Sequence, residues 1–522
     1  MMVAWAAFGV SCISWIIFWI SIIASANRVR LAGRFAFFFG LGSIALTVTW
    51  MLAWRSWFHG LWFTVFYANA GLWLGWLIVA AGAVLLGLLA FYIRQGYKTN
   101  IDTALVTGIL TFVVFFVVGS IGWFASYGAL YNGWIRSAMY DSLVYTELSE
   151  PRQTTNVRYL PQPVAFVYAN NKLQESAVIV GAADPIVLDG EFVWQVARQP
   201  YGFWNQQKGN SDGIGLVDSR GNVSWTRDKM KYGEGMVASD SLMWKLHEKR
   251  YWSKITDIYY IQTPLGHKVM AGLVVAVAPY MDYSLKFPVM VPHLGGVLLT
   301  YSDGYIEDVK PEQFGKHHLL QGVRLVPKEL AKKYVGAYQT KNGLVNYYFR
   351  HIDQVVIADP GYNLYYWGEN MPYLLPTESG QEWFVAAMPW GANGSYKFFY
   401  IDATSGDISV YSMGSDSGFL GPRKALDYVR TNYPQLDVKN SLAVVEPRPI
   451  FRGEKFYWMY TLTTSDYAGV VDTVLVEAHT SEMLSCGNKQ ETLERFLRGD
   501  DASCRVITIR DTFNTLPEAE RE

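Results

Sequence analysis

The sequence predicts a membrane protein in two parts: a four-helix transmembrane N-terminal part, then an α+β extracytoplasmic region with antiparallel sheets. Three observations predict it. Four apolar stretches, Val3–Ala26, Phe35–Trp54, Leu72–Ile93 and Thr103–Ser126, contain no Asp, Glu, Lys, Arg or His. Each meets the ~20 residues a helix needs to cross the hydrocarbon core. Charge is divided unevenly: residues 1–126 hold Arg28, Arg30, Arg34, Arg55, Arg94 and Lys98 against the single acid Asp102, and the remainder is net acidic. After residue 150, short β-branched and aromatic runs alternate with polar turns, the signature of strands.

The bulk composition agrees. Of 522 residues, 51% are hydrophobic and 17% charged, against roughly 25% charged in a soluble protein. Disorder is excluded, because such a chain buries ample apolar surface. A net charge of −1 gives no global field for nucleic acid. Three cysteines are too few for a disulfide scaffold.

Residues 1–126 are expected to form the four spans, since backbone in lipid must satisfy its own hydrogen bonds. The first run is long, lacks a basic leader and is followed by Arg28 and Arg30, so it reads as a span rather than a cleaved signal. The basic loops at Arg28–Arg34 and Arg94–Lys98 belong on the cytoplasmic side, which puts both termini outside. Trp54, Trp57, Phe58, Trp62, Phe63, Phe66 and Tyr67 crowd one loop, and are expected to lie in the outer interface or against a partner. Gly71 and Gly75 form a GxxxG pair that permits close helix packing. With only Ser, Thr and Cys12 as polar groups in the spans, an ion-coupled pump is disfavoured.

A helical stalk is expected over 127–150, ended by Pro151. Two extracytoplasmic regions follow, 151–319 and 320–522. Val269–Val277, Gln381–Trp390, Tyr396–Ile401, a segment near Ser441–Val445, Lys455–Thr463 and Val470–Ala478 read as strands. Ser239–Trp252, Pro327–Tyr338, Pro422–Tyr433 and a segment opened by Asn488 and Glu491 read as helices. One pattern recurs: LVDSRGNV at Leu216–Val223, LTYSDGYI at Leu299–Ile306, YIDATSGDI at Tyr400–Ile408 and VEAHTSEM at Val476–Met483. Each is a strand, a polar turn and another strand. The pattern is read equally as a true repeat or as ordinary hairpin chemistry.

A helix at Arg423–Tyr433, a meander after it and a closing acid–turn–Gly hairpin resemble PepSY-type domains, small α/β modules found outside bacterial membranes and in protease propeptides. The resemblance covers residues 320–485. Val476–Met483 departs from it by lacking the turn Gly. The resemblance implies a binding or regulatory module, not a catalyst.

Catalytic motifs are missing. There is no HExxH, no GxSxG, no P-loop and no dinucleotide fingerprint. Gly414–Gly418 is GSDSG, which reads as a loop. Adjacent His317 and His318 are expected on a helix, pointing apart. Asp212 with Asp218, and Asp303 with Glu307 and Asp308, lack EF-hand spacing and read as turn formers. A disulfide is expected between Cys486 and Cys504: both fall outside the spans, and a helix between them returns the chain.

The expected function is a non-catalytic, membrane-anchored binding or assembly protein of the cell envelope, at the inner membrane with its large C-terminal domain outside. Its expected partners are membrane lipid, other envelope proteins and a second copy, with no nucleic acid, cofactor or metal. The alternatives are an envelope enzyme with a motif-less site between outer domains, and an accessory subunit of a channel or transporter.

Overall fold

The computed structural model describes residues 130–507 apart from short internal stretches, the longest being 263–273 and 359–369. Residues 130–140 are helical, and β1 (Tyr145–Leu148) follows. A helix followed by an antiparallel meander then occurs four times. The first unit is α1 (Gln162–Lys172), β2 (Val178–Leu188), β3 (Glu191–Pro200), β4 (Ile214–Val217) and β5 (Val223–Trp225), hydrogen-bonded in that strand order. The second is α2 (Leu242–Lys249), β6 (Lys254–Ile255), β7 (Tyr259–Gln262), β8 (Val274–Lys286), β9 (Val289–Thr300) and β10 (Ile306–Val309). Both β6 and β7 pair with β8, which passes to β9 and β10.

The third unit is α3 (Lys328–Tyr338), β11 (Val355–Ile357), β12 (Tyr373–Thr377), β13 (Gly380–Pro389), β14 (Gly394–Ser395), β15 (Lys397–Asp402), β16 (Ile408–Ser412) and β17 (Phe419–Leu420). Its main sheet runs β11–β13–β15–β16, with β12 also on β13, and β1 adds in parallel to the β16 edge. The fourth is α4 (Pro422–Asn432), β18 (Leu442–Arg452), β19 (Lys455–Thr464), β20 (Val470–Glu477), β21 (Met483–Ser485), α5 (Gln490–Leu497) and β22 (Arg505–Val506).

Three of the units are latched alike. Trp194, Trp383 and Trp458 are buried on the second main strand of their meanders. Each indole N–H donates to the carbonyl two residues before its helix: Leu160 at 2.8 Å, Val326 at 2.9 Å and Leu420 at 2.7 Å. Burying so large a ring requires a partner for its N–H, and the chain entering the helix supplies it. Ala165, Ala331 and Ala425, at the fourth position of these helices, have no exposed surface. Small side chains there let helix and sheet approach closely.

The recurring hairpins close all four units. The strands end at Val217, Thr300, Asp402 and Glu477 and resume at Val223, Ile306, Ile408 and Met483. The fourth residue of every turn has positive φ: Gly221 at 81°, Gly304 at 90°, Gly406 at 85° and Ser481 at 65°. A left-handed residue is what turns the chain back, and Gly adopts it without a Cβ clash. The sequence echoes are therefore equivalent positions of one structural unit.

The units share a core. The third sheet packs on α3 through Tyr338 and Phe399, whose ring centroids are 5.1 Å apart. Its opposite face meets the fourth sheet through Phe398 and Phe456, at 4.9 Å. Adjacent residues 398 and 399 serve opposite faces because strand side chains alternate. Phe192, Met281 and Val289 join the same core from the first two units, so it continues across the expected division at 319/320.

Two expectations are corrected here. Among the described residues no helix is long and apolar enough to cross a membrane, and the architecture is antiparallel sheet with short helices. The helices Gln162–Lys172, Lys328–Tyr338 and Pro422–Asn432 have 11 residues each, about 16 Å at the usual rise of ~1.5 Å per residue. The hydrocarbon core is ~30 Å thick. The four apolar runs expected as transmembrane helices lie outside the described residues. The stalk is also corrected: helix ends at residue 140, and Tyr145–Leu148 is an edge strand. Tyr145 is drawn there by stacking on Tyr140 and by its hydroxyl donating to the Tyr334 carbonyl at 2.8 Å.

Candidate functional site

The first and fourth units meet at residues 157–160. Tyr159 enters the core behind the fourth sheet, among Ile450, Tyr457, Leu493 and Phe496. Tyr467 and Val470 pack in return on the first unit's core. Between these contacts lies a groove of about 980 Å³. One wall is Tyr168 of α1 with the turn residues Asp218, Ser219 and Arg220; the other is the start of α5, Asn488–Glu491 with Glu494.

Each wall is fixed by its sequence. Asp218 Oδ1 accepts from the Arg220 and Asn222 amides at 2.9 and 2.8 Å, so the carboxylate shapes the turn. Tyr168 lies directly over Gly221, and a Cβ at that glycine would collide with its ring. The opposite wall is stapled. Cys486 and Cys504 form the expected disulfide across 18 residues, bracketing α5. Closing a loop of that size contributes roughly 3 kcal/mol in the chain-entropy account. Leu493 and Phe496 bury the inner face of α5, leaving its first turn toward the groove. Lys489 holds the cap position without a side-chain cap, so the expected capping by Asn488 does not form.

A buried ion cluster adjoins the groove. Glu446 bonds both Arg158 and Arg448, and all three are at least 96% buried. Glu446 sits at a bulge in β18 with φ of 45°, and its Oε1 also accepts the Gln162 amide at 3.1 Å. The Arg158 guanidinium lies over the Trp194 ring, 4.3 Å from its centroid. Removing one member of such a cluster typically costs 3–5 kcal/mol, roughly, because a buried charge is left uncompensated. The cluster therefore holds the first and fourth units in register. Burial pushes the Tyr159 hydroxyl above its ordinary pKa, so it stays protonated.

Arg220, Lys489 and Glu491 project from exposed positions on the two walls. Glu494 is engaged by Gln490 Nε2 at 2.7 Å. The groove thus offers both charge signs, amide groups and a tyrosine ring: chemistry for binding a polar chain.

Of the predicted site residues, Cys486 and Cys504 bracket α5, whose first turn forms one wall of this groove. Trp54, Trp57, Phe58, Trp62, Phe63, Phe66, Tyr67, Gly71 and Gly75 lie outside the described residues, as do Asp212 and residues 414–417 of the GSDSG loop. The acidic pairs are accounted for. Asp308 accepts from Arg250 Nε at 2.8 Å and Tyr280 Oη at 2.7 Å. Glu307 accepts from Tyr301 Oη at 2.8 Å, and its carboxylate lies 3.5 Å from His317 Nε2. His317 and His318 stack with centroids 5.4 Å apart, a correction to the helical expectation, since both follow the short helix Pro311–Lys316. Among the described residues no group of three His, Cys, Asp or Glu is placed to hold a metal ion.

Arg158, Tyr168, Arg220, Glu446 and Arg448 were not singled out from sequence. A signal for the first was present: Val157-Arg158 and Val323-Arg324 each precede a Pro by the same spacing. Arg324 lies over the Trp383 ring at 5.4 Å, as Arg158 lies over Trp194. Compared with known protein families, with characterised proteins and with solved structures, the chain matches none.

Proposed function

We propose that residues 130–507 form a non-catalytic binding module, and that the groove between its first and fourth units takes an extended segment of a partner protein. The observation that carries this reading is the groove's lining: Arg220 and Lys489 beside Glu491, Asn488 and Tyr168, fixed on two rigid walls. Small-molecule sites are mostly apolar with a few polar groups, and this groove is the reverse. A polypeptide supplies both charge signs and backbone donors and acceptors along its length. The reading includes kinship of the helix–meander units with PepSY-type modules, which the four equivalent turns support. It also places the module on the extracytoplasmic side, because a structural disulfide persists in oxidising compartments.

The test is a photo-crosslinking residue at Ser219 or Gln490 of the full chain in the producing cell. One discrete polypeptide adduct is expected at both positions. That partner, once purified, should bind the full chain at least tenfold more weakly when Arg220→Glu and Lys489→Glu are combined. Adducts identical to those from a probe at Asp303, in the equivalent turn of the second unit, would overturn the reading.

A further inference from the structure

A second surface stands apart from the groove. Leu130, Trp134, Val345, Phe349, Ile352 and Trp390 are between 41% and 79% exposed, although each is large and apolar. Contacts tie them into one face. Tyr348 Oη donates to the Leu130 carbonyl at 3.0 Å, and Arg136 Nη1 to Tyr347 Oη at 2.8 Å. A Cβ at Gly133 would collide with Tyr348, so the helical residues 130–140 lie close against the segment 343–350. His351 stacks on Trp390 with centroids 4.5 Å apart. The Ile352 carbonyl accepts from Asn346 Nδ2 at 2.8 Å. The face is therefore built and held, not a set of loose side chains. Contiguous exposed apolar surface of this kind marks an interaction site.

We propose that this face rests on a lipid surface, with its aromatic rings at the headgroup level. The sequence that leads into it argues for lipid. Leu130 is the first described residue, and the sequence leading to it, Thr103–Ser126, has no charged side chain. The face is thus tethered to one of the most apolar parts of the chain, not to a polar linker. Residue types argue the same way: Trp and Tyr prefer the interface between apolar and wet phases. Charge complements it. Arg136, Lys341 and Arg350 adjoin these residues in the chain, against Asp353 and Glu147, which acts on Lys341, and basic residues beside apolar ones favour anionic headgroups. A protein partner or a second copy would contact the same rings, and the test separates these.

Photo-crosslinking residues are placed at Phe349, Ile352 and, as a control, Trp204, which is 78% exposed on the first unit. The full chain is studied with phosphatidylcholine vesicles and with mixed phosphatidylcholine–phosphatidylglycerol vesicles. Phospholipid adducts, identified by mass spectrometry, are expected at Phe349 and Ile352 at several times the yield at Trp204. Arg350→Glu should reduce the yield severalfold on the mixed vesicles and little on phosphatidylcholine alone. Equal lipid yields at all three positions, or peptide adducts from a second copy or another protein at Phe349, would overturn the proposal. The probes sit at exposed positions, so a folding defect does not stand in for either result.

Discussion

Ala276 in the second unit faces Thr300, the last residue before the closing turn, as Trp194 faces Val217, and Val277 faces Leu299, one residue earlier, as Trp383 and Trp458 face Ile401 and Val476. The second unit keeps the helix, the meander and the left-handed Gly304, yet lacks the indole latch. Its α2 has 8 residues where α1, α3 and α4 have 11. Ser241 caps α2, accepting from the Trp244 amide at 3.4 Å. What replaces the latch is strand length. β8 and β9 run for 13 and 12 residues and bury both faces, one against Leu242 and Leu246, the other against Phe314, Leu320 and Leu325. The unit's geometry thus comes from burying a helix on a meander. The tryptophan fixes where the chain enters the helix.

Removing a latch is the most damaging way to probe that difference. Trp383→Ala should lower stability by about 3–5 kcal/mol, since it empties a fully buried aromatic site. Trp383→Phe keeps most of the bulk but leaves the Val326 carbonyl without its donor, at about 1–3 kcal/mol. Urea titrations check both. The same Phe substitution at Trp194 and Trp458 should give costs of that order. A negligible loss at all three would mean that the indole hydrogen bond does not distinguish these units from the second.

A smaller effect separates the first two units from the last two. Tyr260 Oη and Gln199 Nε2 both donate to the Glu234 carboxylate, at 2.9 and 3.3 Å, joining the second meander to the first. Burial pushes the Glu234 carboxyl above its ordinary value, against the pull of these two bonds. A carboxyl with a raised folded pKa favours the fold while protonated. That advantage is lost as pH rises from the ordinary carboxylate range through the raised value. Glu234→Gln removes this titration. Relative to the wild type, the variant should therefore gain stability as pH rises through that window. A difference independent of pH in thermal melts would refute the assignment.

The sequence revealed these relations unevenly. The turns were legible because a polar loop with a left-handed Gly leaves a short local signature, even where LVDSRGNV and YIDATSGDI share few residues. The latch was not, because its two ends lie 34, 57 and 38 residues apart in the three units. Loops of different length hide a contact that space makes uniform. The helix Pro422–Asn432 and the strand Lys455–Thr464 were nearly fully predicted, since their apolar periodicity is strong. The groove was invisible for another reason: Arg220 and Lys489 come together only when the first and fourth units pack, and Glu446 reaches Arg158 from a bulge. Of its features, the disulfide had a sequence signal in two cysteines flanking one helix, and Arg158 one in the spacing to Pro that it shares with Arg324.

The smallest predicted effect tests the turns themselves. Three have Gly at the left-handed position and the fourth has Ser481, at φ of 65°. An L-residue there costs roughly 1–2 kcal/mol, because its Cβ approaches the following carbonyl. Space around Gly406 is adequate: a Cβ would lie 3.6 Å from Val326 Cγ2, ordinary contact. Gly406→Ser should thus be destabilising through backbone strain alone, by about 1 kcal/mol after the unfolded-state entropy of Gly is offset. Ser481→Gly should act in the opposite direction, and by less, because Thr480 and the Glu477 carboxylate already brace that turn through the Thr480 amide at 2.5 Å. A gain of about 0.5 kcal/mol in urea titration is the expectation. If Ser481→Gly destabilised the protein instead, the serine would be contributing an interaction of its own, and the fourth turn would not be equivalent to the other three in what holds it.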